Sequence, residues 1–315
     1  MQTIVPPLLM RRRPRVQYRR ERWDTPDGDF VDVDFASPEP LESTAPVLVL
    51  FHGLEGSSRG PYARSTMRWF ADRGWRAAVA HFRGCSGEDN RLPRAYHSGD
   101  FEEGDWILRT LHRRWPTAPL YAAGVSLGGN MLAKWAGERG QGASFVIAAA
   151  SISAPLDLAA AGKVLRSGIN LIYTWMFLRT LKKKALAKLR QFPEIMRDKE
   201  HERRLRASCD LVEFDNEYTA PVHNFRDADH YYSEASAKPM LRAIRIPYLL
   251  LNARNDPFVP EASLPQPGDV SPTVELEQPT DGGHVGFMRG PWPGRGDFIA
   301  ERINRFFAAH GPRTS

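Results

Sequence analysis

The chain has 315 residues, 42% hydrophobic and 25% charged, enough to bury a full core and unlike the composition of a disordered polymer. Its two cysteines, Cys85 and Cys209, lie far apart, so neither a disulfide framework nor a cysteine-based zinc cluster is suggested. The formal net charge is +6, with arginine concentrated over 11–22, which makes nucleic acid and anionic lipid the partners to weigh.

Residues 1–23 read as a basic arm. Val16, Tyr18 and Trp23 interrupt its charges, as they would in a strand or extended arm with one face in water, and without a recognised binding module a solvated face is the better reading, so no nucleic-acid partner is expected. The apolar residues precede the arginines, the reverse of a secretory signal. Residues 30–35 alternate apolar with acidic side chains, which predicts a half-exposed strand near a sheet edge, where the sheet begins. The unbroken apolar run 46–51 ends at His52-Gly53 and predicts a central strand covered on both faces. A helix over 62–73, a buried strand over 76–82, an amphipathic helix over 100–114, a strand over 120–125, a helix over 127–139 and a strand over 145–152 follow by the same criteria. This alternation predicts an α/β fold, a mostly parallel central sheet flanked by helices.

Residues 158–240 are rich in lysine, arginine and long helix formers, without a convincing buried strand. They predict a helical cap inserted into a core made of 1–157 and 241–315. Its longest apolar run, 171–181, is too short to span a bilayer. Strands over 248–251 and 273–276 and an amphipathic helix over 297–309 complete the core.

Gly124-Val125-Ser126-Leu127-Gly128 matches G-x-S-x-G and falls where a buried strand gives way to a helix, the context in which a sharp turn projects a serine hydroxyl above a sheet. The plainer alternative is a glycine-rich turn with a capping serine. A serine hydroxyl is a weak nucleophile, so a base within reach and a group to orient that base should follow. Asp256, in Asn255-Asp256-Pro257, comes directly after a predicted strand that ends near Ala253, and His284, in Gly282-Gly283-His284, follows the last predicted strand, in the order serine, acid, histidine. His52 and His97 compete for the role of base, but both precede the serine. The loop His52-Gly53-Leu54-Glu55-Gly56 follows a central strand and can bring a main-chain N–H beside the nucleophile, so Leu54 and Leu127 are assigned as oxyanion-hole donors. Arg83-Gly84-Cys85-Ser86-Gly87 lacks the lysine and helix of a phosphate loop, and Cys85 reads as a small packed residue. Asp227-Ala228-Asp229-His230 lacks partners at metal-ligand spacing, so no metal is expected.

These segments, with Phe82-Arg83-Gly84-Cys85-Ser86-Gly87-Glu88, Tyr96-His97-Ser98-Gly99, Phe225-Arg226-Asp227-Ala228 and Asp281-Gly282-Gly283-His284-Val285-Gly286-Phe287, resemble the YheT-like branch of the α/β-hydrolases over nearly the whole chain. That branch also includes eukaryotic abhydrolase-domain lipases and plant embryogenesis-associated proteins. The resemblance implies Ser126, Asp256 and His284 as a triad, a helical cap over the site, and carboxylester hydrolysis on acyl or lipid-like substrates. One departure is Met1-Gln2-Thr3-Ile4, which is similar to the middle of a motif that members carry after a further N-terminal stretch.

The expected function is therefore a cofactor-free serine esterase working through an acyl-enzyme. Two alternatives stand beside it: acyl transfer by the same residues, and a non-catalytic scaffold docked on anionic membrane through the arm and insertion. A cytoplasmic location is expected, with peripheral contact at the inner membrane face as an option. Ile169, Ile172, Trp175, Met176 and Phe177 are candidates for lining an acyl pocket, with ordinary core packing as the alternative. Head group, chain length and oligomeric state have no signature in the sequence.

Overall fold

The structure, a computed structural model, describes residues 15–287 and 297–311. Eight strands form one sheet: β1 (Gln17–Asp24), β2 (Phe30–Ser37), β3 (Val47–Phe51), β4 (Arg76–Ala80), β5 (Leu120–Val125), β6 (Val146–Ile152), β7 (Tyr248–Leu251) and β8 (Val274–Glu277). Their spatial order is β1-β2-β4-β3-β5-β6-β7-β8. β2 runs antiparallel to both neighbours, and β3 to β8 are parallel throughout. The class is α/β, as the alternating pattern predicts. The apolar runs of β3, β5 and β7 are buried along their whole length because helices cover both faces of the sheet.

On one face, α1 (Pro61–Ala71) and α9 (Phe298–His310) place Met67, Phe70, Ile303 and Phe307 against Leu48 and Leu50. On the other, α2 (Phe101–Arg114) and α3 (Leu127–Arg139) pack Leu108, Leu111, Met131 and Trp135 against Val49, Phe51 and Ala122. The buried Trp135 indole is satisfied by donating to Asp105 Oδ1 at 2.8 Å.

Two expectations need correction at the N-terminal edge. The sheet starts one strand earlier than predicted, because residues 17–24 of the basic arm form β1. β2 is buried on both faces rather than half exposed. Arg20 pairs with Asp34 (2.7 Å) and Arg22 with Asp32 (2.9 Å) across the β1–β2 ladder, and Asp34 also accepts from Ser58 and faces His81. The acidic residues that suggested a wet face are instead neutralised in place.

Between β6 and β7 the chain is helical: α4 (Leu158–Val164), α5 (Asn170–Gln191), α6 (His201–Ala207), α7 (Leu211–Phe214) running into a π-helical turn (Asp215–Thr219), and α8 (Ala228–Ala235). Asp157, Asp210 and Asp227 cap α4, α7 and α8 by accepting main-chain N–H groups at 3.0, 2.9 and 2.7 Å. Leu178, Leu189, Leu205, Phe214 and Tyr218 give these helices a small core of their own. Among the described residues no helix is long and apolar enough to cross a membrane.

Candidate active site

Ser126 stands between β5 and α3 with φ 54° and ψ −120°, a conformation that L-residues adopt only when the surroundings enforce it. Its N–H is held by Ile152 O at 2.8 Å and the N–H of Gly128 by His52 O at 3.1 Å. A Cβ at Gly128 would lie 2.5 Å from the carbonyl oxygens of Phe51 and His52. The second glycine of the motif thus lets the helix start against the end of β3.

The loops after β7 and β8 bring Asp256 and His284 to this turn. His284 Nε2 lies 2.9 Å from Ser126 Oγ, and His284 Nδ1 lies 2.8 Å from Asp256 Oδ2. Because a carboxylate only accepts, Nδ1 carries the imidazole hydrogen and Nε2 presents its lone pair to the serine hydroxyl. The other oxygen of Asp256 accepts from the N–H of Phe258 at 2.8 Å, and the Phe258 ring rests on the imidazole, with centroids 4.5 Å apart. Asp256 and His284 are both buried.

The rival histidines have other duties. His52 Nε2 accepts from the N–H of Phe82 (3.1 Å), so the hydrogen is on Nδ1, which donates to Gly53 O (2.8 Å). Burial, with a smaller contribution from His81, pushes His52 down to about 3. His97 accepts from the N–H of Gly99 and packs against His223 and Tyr231; burial, then Arg94 and Lys134, lower it to about 3. Both rings stay neutral.

The main-chain N–H groups of Leu54 and Leu127 have no protein acceptor among the described residues, although both residues border the same cavity as Ser126 and His284. That cavity has about 1240 Å³ of unfilled space, its open mouth included. It extends from the serine beneath the helical segment, between α5 residues Phe177, Leu181 and Ala185 and the side chains of Leu158, Leu165 and Tyr218. Of the five apolar residues read as candidate pocket lining, only Phe177 lines it. Ile169, Ile172, Trp175 and Met176 are instead 69, 55, 62 and 53% exposed, since α5 turns Thr174 and Leu178 inward.

Polar groups at the cavity wall are mostly internal. Asp215, in the π-turn, keeps some accessible area because it borders the cavity, yet protein surrounds its carboxyl and burial pushes it up to about 6 despite hydrogen bonds from Thr219 and Tyr232. Burial pushes the Cys85 thiol up to about 12, leaving it un-ionised and a poor nucleophile. Asp227 is spent on capping α8, and among the described residues no group of three or more His, Cys, Asp or Glu is placed to hold a metal.

The sequence reading passed over Asn255, whose carboxamide oxygen accepts from the N–H groups of Gly282 and Gly283, and Tyr62, whose hydroxyl accepts from the N–H of Gly53 at 2.9 Å. Asn255 had a signal, its place beside Asp256. Tyr62 had none, since its role depends on how α1 packs.

Residues 46–291 match the model of the alpha/beta hydrolase fold family. The chain is 40% identical to the Escherichia coli protein named "Putative esterase YheT" over 290 residues, 92% of this chain and 84% of that protein. It is 30% identical to human phospholipase ABHD3 over its whole length and 78% of that protein. Among solved structures, Pyrococcus furiosus esterase Pf2001 superposes with a TM-score of 0.57 at 14% identity, covering 94% of this chain and 93% of the other. Est1E of Butyrivibrio proteoclasticus superposes with a TM-score of 0.58 at 14% identity, covering 93% and 98%. The sheet order, the strand-to-helix serine turn and these similarities together place the chain in the α/β-hydrolase-fold family, in its YheT-like branch.

Proposed function

We propose that the protein hydrolyses carboxylic esters of acyl or lipid-like substrates through an acyl-enzyme, with Ser126 as nucleophile, His284 as general base and Asp256 as the group that orients the imidazole. The observation that carries this reading is the continuous contact Asp256–His284–Ser126, with Ser126 and His284 lining an apolar cavity. Esterase and lipase-type activity among the relatives supports the reaction class.

Ser126 Oγ attacks the ester carbonyl as its proton passes to His284 Nε2. Asp256 stabilises the resulting imidazolium. The N–H groups of Leu54 and Leu127 are free to receive the oxyanion, whose charge is absent in the ester and present in the tetrahedral intermediate, so their effect falls on the barrier. Collapse breaks the bond to the leaving alkoxide, which takes the proton from His284. Water then attacks the acyl-Ser126 bond by the same route in reverse order. No step calls for a cofactor. A fluorophosphonate probe should label the wild-type protein and short-chain nitrophenyl esters should be turned over, with Ser126→Ala silent in both; folded wild-type protein inert in both assays would sink the reading. Product analysis with a competing alcohol or amine separates hydrolysis from acyl transfer.

A second reading concerns where the substrate is met. Ile172, Trp175 and Met176 on α5, with Ile169 just before it, form an exposed apolar face, accompanied by the exposed cations Lys163, Arg179 and Lys183, whereas Arg166 is paired with Asp210. The arginines of β1 are matched to carboxylates, so this helix, rather than β1, carries the basic and apolar surface suited to anionic lipid. Sedimentation with vesicles containing anionic lipid should pull down the wild type and not Trp175→Glu; equal failure with anionic and zwitterionic vesicles removes this reading.

A further inference from the structure

Gly53 O accepts from the N–H of Gly56 at 2.9 Å, closing a four-residue turn whose third residue, Glu55, has φ 54°. Glycine is the usual occupant of such a position, because a side chain there is strained. The turn also fixes the proposed oxyanion donor. Gly53 C=O and Leu54 N–H belong to one planar peptide unit, so holding the carbonyl with Gly56 N–H and His52 Nδ1 aims the N–H the opposite way.

What holds a glutamate in this conformation is on the page. The Tyr96 hydroxyl accepts from Glu55 N–H at 3.0 Å and donates to Glu55 Oε1 at 2.9 Å, clamping main chain and side chain together. The Tyr96 ring stacks on Phe82, 5.2 Å away, and Phe82 packs on the His52 ring at 4.8 Å. A third contact comes from the helical segment: Lys184 Nζ, on α5, reaches the same Glu55 Oε1 at 2.8 Å. The Glu55 side chain is 10% exposed, and the neighbouring Cys85 thiol is un-ionised, so the carboxylate is the counter-charge this ammonium meets. At its other end α5 touches the loop of the acid: Asn170 Nδ2 donates to Pro257 O at 2.7 Å, and Tyr173 packs on Phe258 with centroids 4.6 Å apart. One helix therefore spans, over roughly 20 Å, the loop of Asp256 and the loop of Leu54.

We propose that Glu55 is a positioning residue for the Leu54 oxyanion donor, and that its ion pair with Lys184 makes formation of the oxyanion hole depend on the seating of α5. The inference rests on the hydrolase reading above. When α5 sits in place, Lys184 and Tyr96 together hold the Glu55 turn; when it lifts, the turn loses its charged tie and Leu54 N–H is free to wander from the position an oxyanion needs.

The test uses full-length protein and two readouts, fluorophosphonate labelling rate and steady-state hydrolysis of a nitrophenyl ester. Glu55→Gly keeps the backbone conformation and removes the tie, whereas Glu55→Gln keeps an acceptor for both Tyr96 and Lys184. Lys184→Met keeps the aliphatic stem and removes the charge. Glu55→Gly and Lys184→Met should each lower kcat and the labelling rate by about tenfold or more with KM changed less than about threefold, the signature of a loss felt in the transition state. Glu55→Gln, which keeps the acceptor but not the charge, should fall between the wild type and Glu55→Gly, and the Glu55→Gly/Lys184→Met double variant should be no worse than the poorer single. Wild-type rates in both single variants, or a loss confined to KM, overturns the proposal. Lys184→Met changes a partly exposed side chain and gives the answer even if Glu55→Gly unfolds. Failure of the wild type itself to be labelled would instead bring down the hydrolase reading, and this inference with it.

Discussion

Asn255 fastens Gly283: its carboxamide oxygen takes the N–H of Gly283 at 2.9 Å and that of Gly282 at 3.1 Å, while its Nδ2 donates to Asp281 at 2.8 Å. The residue before Asp256 thereby ties down the two residues before His284, so one side chain locates both loops. Asn255→Ala should lower kcat by about tenfold while KM stays within about threefold, because misplacing a reacting group is felt chiefly in the transition state. Steady-state kinetics on a soluble ester checks this, and an unchanged kcat refutes it.

Ser126 sits at positive φ, so chemistry and stability should separate there. Ser126→Ala should cut kcat/KM by about 10⁴-fold or more yet fold normally. Ser126→Gly should be equally inactive but more stable than the alanine variant by about 1 kcal/mol, since glycine adopts this backbone without strain. Urea midpoints of the two inactive variants decide the matter.

Gly128 and Gly142 make a matched pair. A methyl at Gly128 would press on two carbonyl oxygens at 2.5 Å, and main chain at the end of β3 cannot give way; at Gly142 nothing lies within 4 Å. Gly128→Ala should cost about 2 kcal/mol or more, and Gly142→Ala should stay within about 1 kcal/mol of the wild type. Thermal or urea unfolding of both variants reads the contrast.

Asp215 gives a pH dependence of defined sign. Its folded pKa, about 6, lies above the ordinary 3.8 of an aspartate because burial disfavours the charged form. Folding therefore retains a proton here, and the benefit present below pH 4 is lost as pH rises through 6. Asp215→Asn abolishes that titration, and the Thr219 and Tyr232 hydroxyls can turn to serve an amide. Relative to the wild type, the variant should gain up to about 3 kcal/mol between pH 4 and pH 7, and little beyond, less whatever screening cavity water supplies. Parallel urea titrations that keep a constant gap across this range would contradict it.

The sequence is most legible where a signal is local. The runs at 46–51 and 120–125 are buried strands because every residue in them is apolar, and Ser126 stands directly beyond the second; Asp256 and His284 lie in the loops after β7 and β8, and the structure brings the three side chains together. Two readings went astray for a common reason. The acidic residues of β2 look solvent-facing until Arg20 and Arg22 are known to lie across from them, and α5 carries apolar residues on two faces without saying which one is inside. The pairing of Glu55 with Lys184 spans 129 positions, and no periodicity reports it.

The two rims of the sheet also have a consequence. β1 ends the sheet on one side with Arg19, Arg20, Glu21 and Arg22, and β8 ends it on the other with Glu275 and Glu277, both engaged by Arg302. A second chain adding to either border would have to strip water from these ions and compete for their partners. Among the described residues the lamella therefore has eight members, with both outer borders guarded against templating fibrils.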